Sequence, residues 1–527
     1  NMDELKATLG AFYSEDDVLP QVKVMYNLGT SKWELYSTTD TFVTEESSYS
    51  RGASYDGLLD AVNAGFGLLS GSKPKIKICN SGSTGTAAVN TASVVNKSDR
   101  MAYTHSIIRR QAGNCIIDFG GNTIWVDTSA EDSSGYNISA FIDIERGSSN
   151  ISVRNLTLTG TPGYGIFMGQ ASNIVCANIH FGKAAGDKVG PGIGIRPQSE
   201  ATAKGDVAQD RWSHDLYLYN ISGNGIGEHV VETFNAYNVY MNDIKGVDIG
   251  GNAVLLNCTY DAWIGTITGI RCCTGGGYAA FRCANDVGPN INVHYIYSEA
   301  CGRGIFFVSS VTGVDIDKLN VINAGGGILY NSCQYVNIHG GKIQTNGGTI
   351  KYYDSSVEEN TASYALKTRT PSSTAITMTN ASSSAYMAEF NNTIQNVTFV
   401  GFSHDIQERN TTCANYNIYK NNTFSKDGVP AYKSTDNPLA WDIFDGVPKG
   451  GDTSTTGSEL TADGFKYKLN SAGTAVVTGA TTTNGALVIP ASLGGKAVTE
   501  IADFAFWNTG ITSVSIPSSV TVVGDCA

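Results

Sequence analysis

Between Asn150 and Thr349, apolar and polar residues alternate in short runs. Each run leads into a glycine turn and then a second apolar run that ends in a small residue. Asn238-Val-Tyr-Met-Asn-Asp-Ile is one such run. Alternation of period two is the mark of strands, and nothing of helical period separates the runs. Aligned on the turn, the copies mark Gly165, Gly192, Gly225, Asn252, Gly277, Gly304, Gly327 and Thr349, the later spacings being 27, 25, 27, 23 and 22 residues. A strand-built repeat of this length predicts a β-solenoid, each copy one coil stacked on the last.

The alternation assigns faces. Val153, Cys176, Leu218, Met241, Ile264, Val293 and Ile316 fall in one column, expected to point inward. Ser152, Val175, Tyr217, Tyr240, Trp263, Asn292 and Asp315 fall in the outward column beside it. Asn155, Asn178, Asn220 and Asp243 follow at the corner. Asparagine tolerates a left-handed backbone and can bond its counterpart in the next coil, so a polar ladder is expected there. Cys258, Cys283 and Cys333 share the position six residues past the marker, with Ser310 between them, which predicts a column of buried thiols. The total of 11 cysteines is odd, and no pair has zinc spacing.

Residues 1–75 are read as an N-terminal cap region. Within it, Tyr55 to Leu69 has the spacing of a short helix with one apolar face, suited to covering the strand edges of the first coil. Lys73-Pro-Lys-Ile-Lys-Ile and Cys115-Ile-Ile-Asp-Phe read as the first strands. The solenoid is expected over 76–425, broken by excursions at 197–214 and 353–390. Residues 426–459 read as a linker, since Gly450-Gly-Asp-Thr-Ser-Thr-Thr-Gly457 has nothing to bury. Over 460–527 a different repeat begins: Ile501-Ala-Asp-Phe-Ala-Phe506 recurs as Val523-Gly-Asp-Cys-Ala527, and Val488-Ile-Pro matches Ser515-Ile-Pro. The array is truncated within a repeat and is expected to continue past Ala527.

Gly 60 and only 16% charged residues in 527 fit a turn-rich, all-β chain. No apolar run approaches the roughly 20 residues that span a bilayer, which predicts no membrane insertion. A formal net charge of −13 argues against nucleic acid as a partner. It bears less on an acidic polysaccharide, because a local basic cleft or bound calcium offsets a global charge. No secretory leader opens the chain at Asn1, so for an exported protein the leader is expected to lie outside this sequence.

Coils such as Asn173-Ile-Val-Cys-Ala-Asn-Ile-His-Phe and Gly313-Val-Asp-Ile-Asp-Lys-Leu-Asn-Val resemble the pectate-lyase-like superfamily over roughly residues 110–425. The resemblance implies a right-handed parallel β-helix and a secreted enzyme that cuts polysaccharide by hydrolysis or elimination. The paired Asp-Asp and Gly-His-Gly of polygalacturonases are absent from the coils, as is the Arg-x-Pro-x-x-Arg of the common pectate lyases. No residue role is therefore carried over. Val488-Ile-Pro, Ile501-Ala-Asp-Phe-Ala-Phe506 and Ser515-Ile-Pro-Ser-Ser resemble leucine-rich repeats of the BspA-like type. That likeness implies an extracellular bacterial protein, attached to a cell surface through these repeats.

Chemistry must come from residues rather than fold. Four positions past the marker, the second strand reads Gly169, Arg196, His229, Leu256, Phe281, Val308 and Asn331, which sets Arg196 and His229 on adjacent coils beside the 197–214 excursion. Glu228, Glu232, Arg282, Asn285 and Asp286 are expected at the same corner, with Asp206, Asp210, Arg211 and Trp212 on the excursion. Glycoside hydrolysis needs two carboxyl groups flanking the bond, one protonated and one ionised. Asp210, Glu228 and Asp286 are the candidates, with His229 able to tune one of their pKa values. Elimination on a uronate polymer would instead use Arg196, Arg211 or Arg282 as base and counter-charge, with calcium as an alternative neutralising ion. Competing expectations stand beside these. Glu228 shares a column with Ile195, Leu255 and Phe307, so it can point inward, and Asp286 sits in the turn-like Asn285-Asp-Val-Gly-Pro289. Tyr217, Tyr240 and Trp263 recur one coil apart, about 4.8 Å along the stack. Exposed, their faces would carry sugar rings; covered, they are packing.

Three functions fit: a glycoside hydrolase using an Asp/Glu pair, which needs no cofactor; a polysaccharide lyase; or a glycan-binding adhesin with no catalysis. In each the partner is a poly- or oligosaccharide.

Overall fold

The computed structural model describes residues 20–27, 29–38, 49–71, 74–80, 87–90, 105–110, 114–127, 139–199, 211–353, 366–380, 385–408, 416–426, 442–445, 447–448, 455–524 and 527. The chain divides into two compact units: Asn1–Glu389 with Gln395–Gln407 and Asn422–Tyr432, and Phe390–Ile394 with Glu408–Asn421 and Lys433–Ala527.

The first unit is a stack of coils held by two ladders of parallel strands. In one ladder Cys115–Asp127, Ser149–Gly160, Ser172–Gly182, Ser213–Asn224 and Val231–Val247 pair in succession. In the other, Ser139–Ile144, Tyr164–Gly169, Ile193–Gln198 and again Val231–Val247 do so. Val231–Val247 serves both because it turns the corner between them at Asn235, whose φ is 56°. Only a residue that accepts a left-handed backbone can make that bend without breaking the strand.

The inward column of the leading strand is level in every coil, Val153 with Cys176, then Leu218, Met241, Ile264, Val293 and Ile316. All seven are buried. The corner asparagines also stack: Asn178 Nδ2 donates to Asn155 Oδ1 at 3.2 Å, and Asn220 Nδ2 to Asn178 Oδ1 at 3.0 Å. Each has a positive φ. A second polar ladder, not anticipated, joins Asn150 to Asn114 at 2.9 Å and Asn290 to Asp261 at 2.8 Å.

The second ladder departs from the expected alignment. Gly165 is level with Gly194, and Ile195 with Val231, so the markers at Gly192 and Gly225 are out of register with the strands they precede. Gly304 and Gly327 do fall together. The turn before each second strand varies in length, and strands hold register while turns absorb insertions. One consequence concerns the thiols. Cys283 stacks between Leu256 and Phe307, whereas Cys333 is level with Val311, so they form no single column. They are nonetheless buried, and none is in a disulfide. Burial pushes the Cys176, Cys283 and Cys333 thiols well above their ordinary value. Iodoacetamide at mildly alkaline pH should therefore leave these three unmodified in the folded protein and label them in denaturant, read by peptide mass. Rapid labelling of Cys283 under native conditions would contradict its placement.

At the N-terminal side the helix runs Leu58–Phe66, shorter than the apolar spacing suggested. It lies so close to strands Val22–Asn27 and Lys75–Asn80 that a Cβ on Gly65 would come within 2.9 Å of Ile76 Cδ1 and 3.3 Å of Val22 Cγ1.

In the second unit, Thr455–Ala462, Phe465–Asn470 and Ala475–Ala480 form an antiparallel meander. Lys496–Ile501 then joins in parallel, and Ile501 sits level with Val523, the residue that opens the next copy of the motif. Phe465, Tyr467, Val477, Leu493, Val498 and Phe506 make its core.

Candidate functional site

The second ladder carries one outward column between two buried ones. Ile166, Ile195, Val231, Val254, Phe281 and Ile305 point inward on one side of it. Thr233, Leu256, Cys283 and Phe307 do so on the other. Period-two geometry then turns Phe167, Arg196, Glu232, Leu255, Arg282, Phe306 and Leu329 away from the coil interior, where Phe167, Glu232, Leu255 and Leu329 are nonetheless buried and Arg196, Arg282 and Phe306 half-buried. Two arginines, a carboxylate and the face of Phe306 share this strip.

Arg196 Nη1 reaches Glu232 Oε2 at 3.2 Å, and Asn257 Nδ2 donates to Glu232 Oε1 at 3.0 Å. Asn285 Nδ2 in turn donates to Asn257 Oδ1 at 3.0 Å, which fixes the Asn257 amide. Arg196 also lies over the rings of Phe234 and Tyr164, at 5.4 and 5.7 Å. Glu232 is only 6% exposed. Burial raises its pKa, and the nearby Glu228 charge raises it further; Arg196, Asn257 and Arg282 oppose them, and the net direction is upward. Burial wins because a desolvated carboxylate loses water that one ion pair and one amide do not fully replace.

Arg282 lies between two rings, 4.7 Å from Phe306 and 5.0 Å from Tyr278. Its Nε is buried without a hydrogen-bond partner. Burial lowers its pKa, against the opposing pull of Tyr278 and Glu232.

Of the carboxylates expected to act, Glu228 is exposed in the turn just before Val231, not turned inward with Ile195 as its assigned column implied. Its amide donates to Gly192 O at 3.0 Å and its carbonyl accepts from Gly251 at 2.9 Å. Asp286 is exposed at a left-handed corner, φ 58°. Asp206 and Asp210 lie outside the described residues, and Arg211 is half-buried where description resumes.

His229 is not level with Arg196, because Ile195 pairs with Val231 and so sets Arg196 beside Glu232. The imidazole is 4% exposed. Its Nδ1 accepts from the Asn252 amide at 2.8 Å, and Asn252 Nδ2 lies 3.1 Å away. Burial, then the charges of Arg282 and Arg196, push its pKa down to about 3. A ring so held stays neutral and braces the turn. The unfolded chain binds a proton near pH 6.5 that the folded chain refuses, so this group makes stability fall as pH drops from there toward 3. In an NMR titration the His229 ring resonances should stay at neutral positions down to pH 4.5. A His229 midpoint near 6 would contradict the assignment.

Tyr217, Tyr240 and Trp263 do stand one coil apart, but they stack on each other. Tyr217 and Tyr240 lie 5.1 Å apart at 8°, Tyr240 and Trp263 5.0 Å apart at 13°. Rings that cover one another offer mostly edges to a sugar, and Tyr240 is 9% exposed. Trp212, expected on the loop surface, is buried against Tyr260 at 5.7 Å. His214, Tyr237 and Tyr260 form a second stack, at 4.8 and 5.3 Å.

Residue patterning named Glu232 as a neighbour but did not pick it out, and it missed Asn257. The available signal was the alternation Val231-Glu-Thr-Phe, which puts Glu232 and Phe234 on the outward face once the register is right.

No family model and no curated protein matches the chain. Among solved structures it is similar to the A-module of a mannuronan C-5 epimerase from Azotobacter vinelandii, with 12% identity and a TM-score of 0.38 over 72% of this chain and 92% of that one. It is also similar to tailspike protein 3 of bacteriophage CBA120, with 14% identity and a TM-score of 0.19 over 76% of this chain and 63% of that one.

Proposed function

We propose that the protein is a carbohydrate-active enzyme that cleaves glycosidic bonds by hydrolysis on the outward strip of the second ladder. One observation carries this: Glu232 is a buried carboxyl held above the ordinary range, with an exposed carboxylate, Glu228, near enough to raise it further. A protonated carboxyl donates to the leaving oxygen while an ionised partner attacks the anomeric carbon or activates water. Glu232 takes the first role and Glu228 the second, with Asp286 and Asp210 as the competing second carboxylates. Arg196 orients Glu232, and Phe306 gives a sugar an apolar wall. His229 is assigned a structural role.

Elimination is the second reading, favoured by Arg282, whose burial lowers its pKa and whose Nε lacks a partner. There Arg282 would take the proton beside a uronate carboxylate that the neighbouring cations neutralise. A binding function without catalysis is the third.

We take the coils to be right-handed, as parallel crossovers nearly always are. We take the leucine-rich-repeat-like tail to hold an exported protein at a bacterial surface.

Glu232→Gln, Glu228→Gln and Asp286→Asn, made singly, test the site. Glu232→Gln should lower cleavage at least about a hundredfold, and one of the other two should do the same. If all three retain wild-type rates on a cleaved glycan, the strip is not the catalytic site.

A further inference from the structure

Beside the Glu232 strip the fold gathers cations that, among the described residues, have no carboxylate in salt-bridge contact, Glu232 acting on Arg282 only from further off. Arg303 Nε donates to Gly277 O at 3.2 Å, and its guanidinium lies 4.9 Å from the Phe306 ring. Arg369 Nη1 donates to Thr274 O at 2.6 Å and to Gly276 O at 3.0 Å. Arg282 lies against the same Phe306 ring, at 4.7 Å. Among the described residues none of the three is paired with a carboxylate, and Glu232 is paired with Arg196.

The backbone is shaped to permit this. A Cβ on Gly325 would come within 2.3 Å of Arg369 Cζ, and one on Gly326 within 3.2 Å of Arg303 Nη1. Gly325 and Gly326 therefore make the room in which both guanidinium groups sit. Carbonyls at Thr274, Gly276 and Gly277 hold two of the cations at one end only, leaving other donors of each fork unused by them. Burial and the charges of Arg369 and Arg282 lower the Arg303 pKa, so Arg303 is repelled by both as they stand. In a chain of net charge −13 such a cluster is not a by-product of a basic surface. Repelling cations held by carbonyls and ring faces, with a buried Nε left open, lack one component: an anion.

We propose that Arg282, Arg303 and Arg369 form a binding site for an oxyanion carried by the glycan, a carboxylate or an ester-linked sulfate. Guanidinium forks bind either group through paired N–H···O bonds. That the anion belongs to a glycan rests on the function proposed above; that an oxyanion binds does not. The site would select chains charged next to the bond being cut.

The test is calorimetric titration of the full chain carrying Glu232→Gln, so that no glycan is turned over. The probes are sodium sulfate, sodium acetate, keratan sulfate (sulfate only), desulfated chondroitin (carboxylate only) and dextran (neither). Saturable binding is expected for at least one charged glycan and its matching small anion, and none for dextran. Arg303→Gln with Arg369→Gln should weaken it at least about tenfold. The corresponding lysine pair, which keeps charge but loses the fork, should fall between and guards against a folding defect. Binding that is absent for every anion, or unchanged in the glutamine pair, overturns the proposal. Anion binding in a wild-type chain that cuts nothing would sink only the hydrolase; cleavage indifferent to charge on the glycan would sink only this site.

Discussion

Glu232→Gln is expected to lower kcat/KM on a cleavable glycan by at least about a hundredfold, the range that a positioned general acid contributes. Glutamine keeps one acceptor oxygen, for Asn257 or for Arg196 but not both, and has no acidic proton to give; the fold should be kept and the loss should fall on kcat. The pH profile adds a second readout. Glu232 must be protonated to act, and its pKa lies above the ordinary carboxylate value. On its alkaline side the activity profile should therefore fall as pH rises through that pKa. In Glu232→Gln the residual rate should lose this limb. A variant with wild-type kcat/KM, or a descending limb unchanged by the substitution, would remove Glu232 from the mechanism.

The largest effect on stability is expected at Phe307→Ala. Phe307 is fully buried in the column with Leu256 and Cys283, edge-on to Tyr330 at 5.0 Å and to Phe281 at 6.5 Å. Truncation removes most of a ring from a coil interior whose neighbours are locked in two parallel ladders and cannot collapse into the space. A loss of about 3–5 kcal/mol should follow, measured by denaturant unfolding of the first unit's transition. Phe306→Ala, one residue along and half-buried, should cost well under half as much. Its effect should appear instead in anion binding, because Arg282 and Arg303 both lie on that ring. Equal losses at the two positions would mean that inside and outside have been assigned wrongly.

The leading strand was legible because its signal is redundant. Seven coils repeat the same alternation at Val153, Cys176, Leu218, Met241, Ile264, Val293 and Ile316, and a one-residue slip would expose all of them. Corner asparagines reinforced it, since few other residues accept a positive φ. The second strand gave a weaker signal. Turns of unequal length precede it, so counting from a glycine displaced Arg196 from its true partner and set it opposite His229. The site inherited that error. Residue type alone also could not tell a platform from a stack: Tyr217, Tyr240 and Trp263 have the spacing for either, and only the ring angles of 8° and 13° decide. Arg303 and Arg369 are 66 positions apart in the chain, and no local pattern links them.

The most direct test of a cleaving strip is product analysis on a panel of plant and mucin glycans, reading new reducing ends and the absorbance of unsaturated uronates together. Wild-type protein should release reducing ends from at least one charged glycan without the unsaturated chromophore, and Glu232→Gln should release them at least about a hundredfold more slowly. Release of the chromophore in step with reducing ends would replace hydrolysis with elimination. Silence across the whole panel, or equal release by wild type and Glu232→Gln, would contradict the account.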